Sequence, residues 1–184
     1  MKKDIFVPVL SLLIICIVSS ALLGGVNMLT SDRIAQLAEQ KVIEAQNELL
    51  PAQSYENADI EGNAYVTAVD ADGNVIGYIF TTSANGYGGA IKLMTGVDTN
   101  GQITGISILE INETPGLGMK AKNDSFLQQF TGISGMAEYT KGAVADENTV
   151  QAITSATITT KAVTAAVNKA LSLYDSVKEA NANG

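Results

Sequence analysis

The sequence predicts an α+β protein: a single N-terminal transmembrane helix, followed by a domain with a mostly antiparallel sheet and packed helices. Three observations predict it. Residues 5–26, IFVPVLSLLIICIVSSALLGGV, carry no charge in 22 positions. Residues 64–110 hold four strand-like runs separated by turn signals. From about Thr160 to Ala180, apolar side chains recur at helical spacing.

As a helix the apolar run spans roughly 33 Å, about the hydrocarbon thickness of a bilayer. A cleaved signal peptide would have a shorter apolar region and a small-residue cleavage site. Ser19-Ser20-Ala21 is a weak site, and the run continues through Leu22, Leu23 and Val26. A lipoprotein would need a small residue before Cys16, where Ile15 stands. Residues 1–28 are therefore expected to be an uncleaved, single-pass anchor in the cell (inner) membrane. Lys2 and Lys3 precede the span, so the positive-inside rule leaves a short N-terminus in the cytoplasm and the rest outside.

Residues 29–51 read as a stalk or packing helix. Thr30 or Ser31 is its expected cap, Ile34, Leu37, Lys41, Ile43 and Leu50 punctuate a broken apolar stripe, and Pro51 ends it. Residues 52–184 form the expected extracytoplasmic domain. AYVTAVD and VIGYIFTT flank Asp70–Asn74, a hairpin signal, and AIKLMTGVD and QITGISILE flank Thr99-Asn100-Gly101, a stronger one. Three glycines in ANGYGGA, Ala84 to Ala90, mark backbone that bends sharply or lets something approach, or else a plain loop. In NETPGLGMKAK, Asn112 to Lys122, Pro115 fixes φ, and Gly116 and Gly118 permit positive φ. Asn123 or Asp124 is placed to cap a short helix, SFLQQF, and residues 131–150 show no clear pattern. In the last helix, Val163, Val167, Ala170, Leu171, Tyr174 and Val177 share one face.

Composition removes whole chemistries. From Thr30 onward 9 Lys/Arg face 18 Asp/Glu, which argues against nucleic acid as a partner and fits a solvated acidic surface. The chain has no His, so no His-based acid/base catalysis and no His-held metal or haem. Its one Cys is Cys16, inside the span, so no zinc site, protein-held iron–sulfur cluster or intrachain disulfide is expected in the exported domain. Redox chemistry there would need an organic cofactor.

The residues richest in possible chemistry are ITSATITTKAV, Ile153 to Val163, with five hydroxyls between Thr154 and Thr160. A helix N-terminus carries unpaired N–H groups and partial positive charge, and is a seat for phosphate. Thr154, Ser155, Ala156, Thr157 and Thr159 leave room for an anion and can donate to it. The other reading is that one hydroxyl caps the helix and the rest are solvated.

Three segments, GYGG (Gly86–Gly89), ETPGLG (Glu113–Gly118) and TSATIT (Thr154–Thr159), follow in order after a single N-terminal span. Together they resemble the FMN-binding domain family found in the G-subunit of Rnf-type electron-transport complexes and in the related C-subunit of sodium-pumping NADH:quinone oxidoreductases. The resemblance covers nearly the whole chain, and its short length is closer to the Rnf G-subunit. In that family a threonine carries FMN through a phosphoester. Laid on this chain, the acceptor is Thr157, with Thr154 in the Ser/Thr slot and Ala156 in the alanine slot. Three positions depart from the family: Gln151 for its usual Asp, Ser155 for its usual Gly, and Ile111 where many members have His. Ser155 is a small change provided its φ is negative.

The resemblance implies an electron-carrier subunit of an ion-translocating ferredoxin:NAD⁺ oxidoreductase, coupling electron flow to sodium or proton movement. It would be a redox subunit of a translocase with no catalytic residues or metal of its own, associated with the complex's other membrane subunits. It further implies a separate exported flavin transferase, itself holding a divalent metal, that moves FMN from FAD onto Thr157. Glu113, Thr114 and Leu117 are expected along the flavin, helped by Gly88, Gly116 and Gly118, and Tyr87 either stacks on it or simply packs. Two other functions fit the same residues: a free-standing anchored flavoprotein passing electrons to external acceptors, and a non-redox exported binding domain with degenerate motifs, which Gln151 favours.

Overall fold

The computed structural model describes residues 2–60, 62–144 and 146–182. The side chains of Lys2 and Lys3, which carry the orientation expectation, lie outside what is described. The chain divides into two compact units, Met1–Lys41 and Val42–Gly184.

In the first unit, helix α1 (Lys2–Leu49) begins, and every residue from Phe6 to Lys41 is exposed. An 18-residue window within α1 has mean hydropathy 2.7 with none of it buried. This is a helix long and apolar enough to cross a membrane. No new helix starts at Thr30. Its hydroxyl donates back to Val26 O at 2.9 Å, and that of Ser31 to Met28 O at 3.3 Å. Such back-bonding lets hydroxyl residues pass through a helix interior, so neither acts as a cap.

The second unit opens with the last turns of α1, which stop at Leu49, two residues before Pro51. Ala45, Leu49 and Leu50 pack there against Ala68, Ile79 and Met94, on one face of a sheet. That sheet has five antiparallel strands in sequence order: β1 (Ser54–Ile60), β2 (Asn63–Val69), β3 (Val75–Asn85), β4 (Ala90–Asp98) and β5 (Ile103–Glu110). The two expected hairpins form, and they share one device. Asp70 Oδ1 accepts from the amides of Asp72 and Asn74 at 2.9 and 2.8 Å; Asp98 Oδ1 accepts from those of Asn100 and Gln102, both at 2.8 Å. Each carboxylate closes its own turn as an Asx motif. At Asp70 these bonds, that from Asn74 first, hold the carboxyl below its ordinary pKa.

The sheet's other face carries helix α3 (Thr157–Ala182). It begins three residues before the expected Thr160. Val163, Val167, Ala170, Leu171, Tyr174 and Val177 are all buried, against Phe80, Leu93 and Val97 of the sheet. The Thr82 hydroxyl donates to Ala166 O at 2.8 Å across this interface.

Between β5 and α3 the chain makes a 3-10 turn (Gly118–Lys122), the single-turn helix α2 (Asp124–Leu127) and another 3-10 turn (Gln128–Phe130). SFLQQF is thus split rather than one helix. Asn123 sits at the cap position of α2, but its side chain makes no capping bond. The patternless region holds β6 (Glu138–Thr140), parallel to β7 (Thr149–Gln151). It is part of the core: Ile133, Ala137 and Val150 are buried, and the Asn168 amide clamps the Ala137 backbone at both N–H and C=O, 2.8 and 2.9 Å.

Candidate functional site

Two turns and the tip of a hairpin shape a cavity of about 470 Å³ at the start of α3. The first turn is Thr114-Pro115-Gly116-Leu117. Leu117 N–H donates to Thr114 O at 3.1 Å, and Gly116 has φ +77°. Proline second and positive φ third is the type II pattern. Gly118 follows, and it does not have positive φ. Its requirement is space: a Cβ there would lie 2.7 Å from Thr159 Oγ1 and 2.6 Å from Glu113 Oε2. The ETPGLG loop and the helix start therefore touch where glycine has no side chain.

The second turn is Ile153-Thr154-Ser155-Ala156. Ala156 N–H donates to Ile153 O at 3.0 Å, and Ser155 has φ +64°. Among the described residues no other non-glycine has positive φ. The condition under which Ser155 would be a small change, a negative φ, is not met, because a type II turn demands the opposite sign at its third residue. That demand is also why glycine suits the position.

Ala156 then occupies the N-cap of α3, since its C=O accepts the first helical bond, from Thr160 N–H at 3.0 Å. An alanine methyl cannot cap, so Ala156 offers nothing to the first helical N–H groups. The hydroxyls divide their work. Thr160, fully buried, accepts from Ile153 N–H at 3.0 Å and donates to Ala156 O at 3.1 Å, closing the turn onto the helix. Thr159 is buried, Thr157 is half-buried at the cavity wall, and Thr154 and Ser155 are exposed.

The third element is the tip of the β3–β4 hairpin. Glu113, only 7% exposed, accepts Tyr87 N–H at 2.7 Å and Gly88 N–H at 3.4 Å on Oε1. Tyr87 is 73% exposed and lines the cavity, so it is not an ordinary packing tyrosine.

Of the residues predicted for the site, Tyr87, Glu113, Thr114, Leu117, Gly118, Ser155, Ala156, Thr157 and Thr159 all line this one cavity. Gly88, Gly116 and Thr154 do not line it; they build the loops behind it. Ile158 was missed, yet it lines the cavity and is 55% exposed. The signal was present, as an aliphatic residue inside TSATIT on the polar side of the helical pattern. Gln151 is exposed at the end of β7, where its N–H donates to Gln129 Oε1 at 2.7 Å, and it does not line the cavity. Among the described residues, no cluster of three acidic, His or Cys side chains is placed to hold a metal.

The chain matches the model of the FMN-binding domain over residues 86–172, which contains all three segments around the cavity. It is 34% identical to the G-subunit of the Na⁺-translocating ferredoxin:NAD⁺ oxidoreductase complex of Acetobacterium woodii, over 96% of this chain and 95% of that one. The chain belongs to the G-subunit family. A second member, from the proton-translocating ferredoxin:NAD⁺ oxidoreductase complex of Clostridium ljungdahlii, is 33% identical over 92% of this chain and 91% of its own. The G-subunit fold extends to a solved structure, the C-subunit of the Na⁺-translocating NADH-quinone reductase from Parabacteroides distasonis. It superposes with a TM-score of 0.57 at 24% identity, covering 74% of this chain and 82% of that one. The chain is thus an FMN-binding member of a larger complex's subunit family rather than a stand-alone enzyme.

Proposed function

We propose that this G-subunit protein carries FMN covalently on Thr157 and relays electrons on the outer face of the membrane, within an ion-translocating ferredoxin:NAD⁺ oxidoreductase. The observation that carries the reading is the position of Thr157. It is the first residue of a 26-residue helix whose cap is an alanine, and it opens on the cavity that the other two family segments also line.

The residues fit the group. A cavity of about 470 Å³ is within the usual range for cofactor sites, roughly 300–1,000 Å³. Its walls offer an aromatic face from Tyr87, aliphatic surface from Leu117 and Ile158, and hydroxyls from Thr114 and Thr159. Uncapped N–H groups at the start of α3 favour a phosphate ester there. When bound, FMN supplies the electron acceptance and release that no side chain of this chain can.

The protein's own part is to bind, orient and tether. A tether makes rebinding intramolecular, with an effective concentration of about millimolar or more, which matters outside the cytoplasm where free flavin is scarce. The chain has no His to deprotonate the Thr157 hydroxyl, so esterification is the work of a separate exported flavin transferase. Lys2 and Lys3, before the apolar run in sequence, support an N-terminus in the cytoplasm and the FMN-binding domain outside.

Denatured protein from a host with an active transferase should fluoresce as a flavin on a gel, and Thr157→Ala should be dark. Fluorescence in Thr157→Ala would reject the acceptor. Co-purification with several multi-span proteins is expected; a lone anchored flavoprotein would instead support transfer to external acceptors.

A further inference from the structure

Glu113 is the one charged side chain that lines the cavity among the described residues, and it is buried. Its two oxygens have different surroundings. Oε1 accepts the Tyr87 and Gly88 amides and so ties the hairpin tip to the ETPGLG loop. Oε2 lies against Gly118, on the side where Thr159 Oγ1 also approaches. No Lys or Arg among the described residues lines the cavity to offset the carboxylate. The tie needs an acceptor oxygen, but it does not need a charge.

We propose that Glu113 is a positioning residue whose charge has a second effect: it biases the flavin held in this cavity toward its oxidised form. The inference rests on the FMN reading above. Two-electron reduction at neutral pH takes two electrons from the reductant and one proton from solvent, a net gain of one negative charge on the ring system. A carboxylate in a partly desolvated site opposes that gain, because like charges repel more strongly where water is excluded. Charge beside the ring is one of the levers by which a protein sets a flavin's electronics. The Tyr87 tie keeps the carboxylate at the cavity wall, so the same bond that shapes the loop fixes the bias.

Glu113→Gln separates the two roles, since the amide oxygen still accepts Tyr87 N–H while the charge is gone. The measurement is a spectroelectrochemical titration of flavin-loaded protein from a host with the transferase, with the thermal midpoint of unloaded protein alongside. Glu113→Gln molecules that carry flavin should favour the reduced form at least tenfold, about 30 mV for a two-electron couple. Ile158→Lys, at an exposed position on the same cavity, leaves the tie intact and should shift the titration in the same direction. Flavin-loaded Glu113→Gln with the wild-type midpoint overturns the inference. If Glu113→Gln does not fold, an unmoved midpoint in Ile158→Lys overturns it instead. A wild-type protein without flavin would fail the underlying reading before any midpoint is compared, whereas a loaded wild type with unmoved variants fails this inference alone.

Discussion

Gly118 and Thr159 meet so closely that a methyl group on Gly118 would lie 2.7 Å from the Thr159 hydroxyl oxygen. The ETPGLG loop and the mouth of α3 are therefore one packed unit. Gly118→Ala should force them apart, with the Glu113 carboxylate equally in the way. The expected cost is about 1–3 kcal/mol, the usual penalty for overpacking, with flavin loading by the transferase falling in parallel. Urea unfolding and the flavin-to-protein absorbance ratio check it.

Ser155 carries a conformational penalty that glycine would not. Left-handed backbone costs an L-residue about 1–2 kcal/mol, partly offset in glycine by a more flexible unfolded chain. Ser155→Gly should raise stability by up to about 1 kcal/mol, and Ser155→Val should lower it. Denaturant midpoints of the two variants test the sign directly.

Asn168 holds the Ala137 backbone at both ends, with bonds of 2.8 and 2.9 Å. Asn168→Ala leaves a partly buried N–H and C=O without their partner. A loss of about 1–3 kcal/mol is expected, with amide exchange accelerated first around β6.

The Tyr174 phenol donates to Thr99 O at 2.9 Å. Burial, and then the charge of Asp98, raise its pKa above the ordinary 10.0. A folded pKa above the unfolded one means that this contribution is fully present below about pH 10 and is lost as pH rises through the folded value. Stability should fall in that alkaline window, and Tyr174→Phe should flatten the fall. Thermal midpoints from about pH 8 upward would show it.

Much of this was legible in the residues, and where it was not there is a physical cause. The hairpins at Asp70–Asn74 and Asp98–Gln102 were readable because turn chemistry is local. So was the buried face of α3, because its period is regular. β1 was not: SYENADI has few apolar residues, and its pairing to β2 is set by the neighbouring strand rather than by its own pattern. The strands β6 and β7 were missed because three-residue strands carry no periodicity, and the region's buried apolar residues, Ile133, Ala137 and Val150, are too widely spaced to show a pattern. At the site, Pro115-Gly116 announced its turn. Ser155 hid the matching one, because a serine gives no sign of left-handed backbone. The link from Glu113 to Tyr87 spans 26 residues and could come only from the fold.

Intact mass with peptide mapping of protein from its own host decides whether Thr157 carries the flavin. The expected mass is the mature chain plus one FMN less one water, with the increment confined to the peptide that contains Thr157. A mass equal to the unmodified mature chain, or an increment on any other peptide, would contradict it.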